Sequence, residues 1–213
     1  MSGRGGSSEG PTSLLLRAGL RELGRELPED QLEQLLRLAE LLERWGSRLN
    51  LTGHRSQDAI VQSLLLEAAA LERILPPLAR LVDLGSGAGF PGLPLSVLRP
   101  ASRVLLVEAR RRRHHFQRAA IRELGLENVE ARLGRAEELP PEPSPGVLAQ
   151  AMARPERALS WMLPWAEPGG LLLLPTGPAA SLPARPDLRV EGRLAYRAPQ
   201  GPPRILWLVR RIA

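Results

Sequence analysis

The chain has 213 residues, 43% hydrophobic but only 3% aromatic, so one domain with a core of Leu, Val and Ala is expected. With no Cys and only three His, a disulfide framework, a thiolate metal site, an iron–sulfur cluster and a catalytic thiol are excluded, and no metal centre is expected. The 29 basic residues against 23 acidic give a net charge of +6, and every basic residue is Arg, so phosphate contacts must be arginine forks or backbone amides.

Residues 1–11 are rich in Gly and Ser and read as a disordered tail. From 12 to 77 the pattern is that of a helical extension. Leu32, Leu35, Ala39, Leu42, Trp45 and Leu49 recur every three or four residues and form one apolar stripe. Glu29 and Asp30 suit the start of that helix, and Gly46 with Asn50–Gly53 reads as its end. A further helix is expected from about Gln57 to Leu75, stopped by Pro76-Pro77.

The texture then changes. Short apolar runs at 80–84, 103–107, 128–131, 146–149 and 170–174 read as strands, with helical patterns at 110–124 and 155–166. Alternating strands and helices imply a mostly parallel α/β sheet over 78–213, covered on both faces. Residues 188–196 and 204–212 have no helix between them and read as a closing antiparallel pair. Proline-rich 140–145 and 175–186 read as loops, the second at the end of the sheet where ligands bind. The longest uncharged stretch, Pro168 to Ala184, is too short and too broken to span a membrane, and the N-terminus lacks the apolar centre of a signal peptide. A cytoplasmic protein is expected.

The most informative segment is Leu81-Val82-Asp83-Leu84-Gly85-Ser86-Gly87-Ala88-Gly89-Phe90-Pro91-Gly92, a strand running into glycines and then a helix. Glycines there let the backbone approach a ligand closely. Residues 87–92 fit the dinucleotide spacing G-x-G-x-x-G, which keeps an NAD-dependent oxidoreductase as one alternative. Read instead as Asp83 followed by Gly85, Gly87 and Gly89, the loop carries an acid that a pyrophosphate disfavours and a sulfonium tolerates. Glu108, at the end of the second strand, is placed to accept ribose hydroxyls from either cofactor. The 134–138 loop follows the third strand, and Glu137 there is a candidate for receiving an adenine amine.

Trp45-Gly46-Ser47-Arg48-Leu49-Asn50-Leu51-Thr52 together with Gly85-Ser86-Gly87-Ala88-Gly89-Phe90-Pro91-Gly92-Leu93-Pro94-Leu95 resembles the bacterial small-subunit ribosomal RNA guanine-N7 methyltransferases, the glucose-inhibited division protein B family. The similarity covers roughly residues 13 to 178. It implies a Rossmann-like class I methyltransferase with a seven-stranded sheet, S-adenosyl-L-methionine as methyl donor, and a guanine of 16S ribosomal RNA in the small subunit as acceptor. Carried over by motif, cofactor contacts fall on Gly85, Phe90, Ala136 and Glu137, beside Asp83, Gly87, Gly89 and Glu108. Arg111, Arg112 and Arg113 read as an RNA phosphate patch or a solvated helix face. Arg204, Arg210 and Arg211 read as added basic surface or guards of a sheet edge. A monomer is expected.

Four segments depart from the family's usual pattern. His-x-x-Asp-Ser is replaced within Gln62–Glu67, the acid before the fourth strand around Pro145-Gly146, Ser-Arg-Ala by Ala149-Gln150-Ala151, and Leu-Lys-Gly by Pro175-Thr176-Gly177. A catalytically altered S-adenosylmethionine- or RNA-binding paralogue is therefore the second alternative.

Overall fold

Short, nearly continuous apolar runs within residues 80–176 dictate strands that can be covered on both faces, and the computed structural model, which describes residues 10–49 and 51–212, has that layout. Helix α1 (Pro11–Glu22) and helix α2 (Glu29–Leu49) precede α3 (Gln57–Ile60), a π-helical turn (Val61–Leu65) and α4 (Leu66–Glu72). There follow β1 (Arg80–Leu84), α5 (Gly92–Leu98), β2 (Arg103–Glu108), α6 (Arg111–Leu124), β3 (Val129–Leu133), β4 (Ser144–Leu148) and α7 (Pro155–Met162). A 3-10 turn (Leu163–Trp165) leads into β5 (Ala166–Thr176), then β6 (Leu188–Tyr196) and β7 (Arg204–Arg211).

The seven strands are ordered β3-β2-β1-β4-β5-β7-β6. The first five are mutually parallel, and β7 runs antiparallel to both β5 and β6. The chain therefore builds outward from β1 to β3 and then crosses to β4. The switch point lies between β1 and β4, where sheets of this type place their ligands.

Side chains alternate across the sheet with the period of two that a strand imposes. Val104 and Leu106 face the helices α1, α2, α4, α5 and α6, whereas Leu105 and Val107 face α7 and Trp165. The α2 stripe of Leu32, Leu35, Ala39 and Leu42 is buried in the same core as Leu81, Leu106 and Leu206, so the helical extension and the sheet share one apolar interior. Trp45 closes edge-on over Phe116 of α6, with ring centroids 5.8 Å apart.

Several expectations need correction. Pro11 already begins α1, so the tail is shorter than 1–11, and residues 1–9 lie outside the described residues. Gly46 does not end α2; the helix continues to Leu49, and Asn50 lies outside the described residues. The helix expected over 57–75 is interrupted by the π-helical turn, and the one expected over 155–166 stops at Met162. Strand β7 is no edge: it lies between β5 and β6, leaving β6 outermost.

Candidate functional site

Residues after the C-terminal ends of β1, β2, β3 and β4 converge around the switch point. The loop after β1 is fastened from three sides. Ser86 N–H donates to Val107 O (3.1 Å) at the end of β2. Gly87 N–H donates to Glu108 Oε2 (2.8 Å), while Glu108 Oε1 accepts Arg110 N–H (2.7 Å) at the start of α6. From inside α6, the fully buried Gln117 donates through Nε2 to Ser86 Oγ and to Gly87 O, both at 2.8 Å.

Two glycines are required by geometry. Gly85 has φ +67°, and a Cβ there would meet Met152 at 2.6 Å. Gly92 lies so close to β2 that a Cβ would meet Leu106 at 2.2 Å and the Asp83 carboxylate at 2.7 Å. Asp83 itself is 1% exposed, and its Oδ2 accepts Gly92 N–H (3.0 Å) while Oδ1 has no partner among the described residues. Burial pushes its carboxyl up to about 8; the Gly92 N–H offsets part of this and the Glu108 charge adds to it.

Two cavities adjoin the loop. The larger, about 650 Å³, is lined by Gly85–Ala88, Phe90 and Pro91 of the loop, together with Thr52, Gln62, Ser63, Glu67, Gln150 and Arg204. The smaller, about 460 Å³, is lined by Glu108, Arg110, Gly134–Glu137, Met152 and Trp161. Both volumes lie in the range of small-molecule sites. Gly85, Arg113 and Ala151 line both cavities, so the two meet over the mouth of β1 and β4. Ala151 has φ +53° and Gln200 φ +59°, the two positive-φ residues other than glycine among the described residues, and both line the larger cavity. Left-handed backbone at a non-glycine residue is costly, and such strain clusters at ligand sites.

The expected residues divide between these surfaces. Gly85, Gly87 and Phe90 line the larger cavity, and Gly85, Glu108, Ala136 and Glu137 the smaller. Asp83 and Gly89 line neither. Asp83 lies beneath the loop and holds Gly92, and a Cβ on Gly89 would run into Leu93, so both shape the turn from behind. A sulfonium preference thus cannot rest on the Asp83 charge. Arg113 turns into both cavities, whereas Arg111 and Arg112 are exposed at the start of α6 and line neither. None of the three makes an ion pair among the described residues. The 177–187 loop lines neither cavity; the β6–β7 turn, 198–202, lines the larger.

Arg204 is not an edge guard. It lies in the cavity wall with its Nε 3.3 Å from Glu67 Oε1. Arg210 instead donates to Glu191 and to Gly169 O, and Arg211 to Leu163 O and Ala166 O.

Residue-by-residue reading missed Gln117 and Trp161. Gln117 betrays itself as an amide on the buried stripe that also carries Ala120 and Leu124. Trp161 carries no such signal, being one aromatic in an ordinary amphipathic helix; Arg157 stacks on its ring, 5.4 Å from the centroid.

Comparison with known proteins adds a family. Residues 31–181 match the family model described as rRNA small subunit methyltransferase G. A ribosomal RNA small subunit methyltransferase G of Aeromonas hydrophila is 36% identical over 194 residues, covering 88% of each chain. The namesake from Chromohalobacter salexigens is 34% identical over 193 residues, covering 85% of this chain and 92% of its own. Among solved structures, M. jannaschii TYW2 in complex with AdoMet superimposes with a TM-score of 0.52 at 13% identity, over 68% of this chain and 75% of that one. That last likeness is one of fold.

Proposed function

Because the chain belongs to the family described as rRNA small subunit methyltransferase G, we propose that it transfers a methyl group from S-adenosyl-L-methionine to N7 of a guanine in 16S ribosomal RNA of the small subunit. In this reading it acts as a cytoplasmic monomer. No described helix is long and apolar enough to cross a membrane. The observation that carries the reading is the pair of cavities joined at Gly85, Arg113 and Ala151, one for a nucleoside-bearing donor and one for a base.

The residues present fit that donor. Glu108 lines the smaller cavity, and each of its oxygens is engaged by one backbone N–H, leaving lone pairs for the hydroxyls of a ribose. Ala136, Glu137 and Trp161 surround the space for the adenine. Trp165 Nε1–H donates to Ala136 O (3.0 Å) and so fixes the adenine loop from the core. Gly85 and Gly87 present bare backbone to the remainder of the molecule.

When bound, S-adenosylmethionine supplies an electrophilic methyl on a sulfonium sulfur. The chain then has to position the acceptor and keep water out. Guanine N7 holds a free in-plane lone pair, so no side chain must remove a proton before transfer. Alignment of reactants alone is worth up to about 7–11 kcal/mol in well-oriented systems, so the transfer needs no acid–base pair.

The test combines binding and turnover. Calorimetry is expected to show S-adenosylhomocysteine binding and no comparable NAD binding, and Gly85→Asp to abolish the former. Labelled donor incubated with 30S subunits is expected to mark 16S RNA at a guanine. Tight NAD binding without S-adenosylhomocysteine binding, or silent 30S subunits beside normal cofactor binding, would overturn the assignment.

A further inference from the structure

Three polar side chains from distant parts of the chain meet in the larger cavity, which the glycine loop also lines. Glu67 comes from α4, Gln150 from the end of β4 and Arg204 from the start of β7. Glu67 is only 14% exposed on its side chain. Its Oε1 accepts from Gln150 Nε2 at 2.7 Å, and its Oε2 accepts from Arg204 Nη2 at a long 3.4 Å. Arg204 Nε lies 3.3 Å from Oε1 without forming a hydrogen bond. Two of the carboxylate's roughly four acceptor positions are therefore taken, and the arginine is held loosely with donors to spare.

Resting on the methyltransferase reading, we infer that Glu67, Gln150 and Arg204 read the Watson–Crick edge of the acceptor guanine. Guanine alone among the four bases offers two adjacent donors, N1–H and the 2-amino group, which match the two oxygens of one carboxylate. Its O6, next along the edge, matches the Arg204 guanidinium. Adenine brings an acceptor at N1 against the same carboxylate. Cytosine does so at N3, and uracil flanks its single N–H with two acceptors. Each wrong base leaves a partly buried charge unmatched, which costs more than the missing bond. Gln150 keeps the Glu67 carboxylate in place from the β4 side.

The same placement favours the reaction. N7 lies beyond O6 on the adjoining edge of the base and is left free of these three side chains. When N7 gains a methyl group the base becomes cationic, and a carboxylate against N1–H stabilises that charge more than the neutral guanine. Arg204, arriving from β7, brings a guanidinium to the same cavity as Gln150.

The experiment uses inosine, which lacks the 2-amino group but keeps N1–H and O6. The methylated nucleotide is first mapped, and 16S RNA is then ligated with guanosine or inosine at that position alone. Wild-type protein is expected to favour guanosine about tenfold or more in kcat/KM. Glu67→Gln, which preserves shape, is expected to bring that ratio near one while S-adenosylhomocysteine affinity stays within about twofold. Arg204→Gln is expected to lower transfer to both RNAs about tenfold and leave the ratio intact, because O6 is common to both. A wild-type ratio near one overturns the inference whatever the variants do. So does a Glu67→Gln protein that slows both RNAs alike, the behaviour of a purely structural tie. Should wild type methylate neither RNA, the methyltransferase reading itself falls.

Discussion

Asp83 and Glu108 illustrate how two carboxylates 25 residues apart on neighbouring strands take opposite roles. Glu108 ends β2 at the cavity, with both oxygens supported by N–H groups and one side open to a ligand. Asp83 sits one residue inside β1, under the loop, where one oxygen holds Gly92 and the other is buried without a partner among the described residues. Its carboxyl titrates at about 8 in the folded protein against about 3.8 for an exposed aspartate. Between those values the unfolded chain has released the proton and the folded one retains it. Asp83 therefore contributes stability that is fully present below about pH 4, declines as pH rises through about 8, and is absent above it. This runs opposite to Glu191, whose carboxyl is held near 2 by Arg210 and Arg189 and whose contribution is lost only in acid. We predict that Asp83→Asn, which keeps an oxygen for the Gly92 N–H, gains in Tm relative to wild type as pH is raised from 5 to 8. One proton corresponds to at most about 1.4 kcal/mol per pH unit, or about 3–5 °C per unit for a chain of this size. A Tm difference independent of pH would show that Asp83 is ionised throughout.

Among the elements, α6 joins the cavity-lining loop to the outside. Its inner stripe carries Gln117 to the loop and Phe116 to Trp45, while its first turn exposes Arg111 and Arg112 and turns Arg113 into the cavities. A positive first turn opposes the helix dipole, and Glu108 answers this by accepting the Arg110 N–H. If the two exposed arginines meet RNA phosphates, Arg111→Ala/Arg112→Ala should flatten the dependence of log K on log salt by about 1.4–1.8, with S-adenosylhomocysteine affinity unchanged. Filter binding of 16S RNA between 50 and 200 mM salt measures this, and an unaltered slope assigns both to a solvated face. Elements of this kind were legible beforehand because period, glycine and proline are local signals: β1, α6 and β6 fall where their patterns put them. The π-helical turn at 61–65 was not legible, since it is set by tertiary packing, yet it carries Gln62 and Ser63 on the cavity wall. That Arg204 guards no edge was illegible for a related reason. Its place in the cavity wall depends on β7 inserting between β5 and β6, which neither residue type nor spacing encodes.

At the scale of the molecule, the question is whether the helical extension, expected over 12–77, folds with the sheet domain over 78–213 or apart from it. Leu16, Leu35 and Leu42 of the extension are buried in one continuous core with Leu93, Leu106 and Phe116 of the α/β part. Burial of one such side chain is worth about 1.5–3 kcal/mol, so separating the parts would expose far more than marginal stability can bear. The larger cavity also draws on both parts, from Thr52 and Glu67 on one side to Gly85 and Arg204 on the other. We therefore predict a single unfolding transition that S-adenosylhomocysteine shifts as a whole. At a hundred times its Kd the ligand adds about 2.7 kcal/mol, or about 5–11 °C in Tm, while NAD at the same concentration leaves Tm unmoved. Scanning calorimetry with and without each nucleotide checks this. An early transition that the ligand does not move would show the extension unfolding on its own, because only a unit that contains the site gains from occupancy.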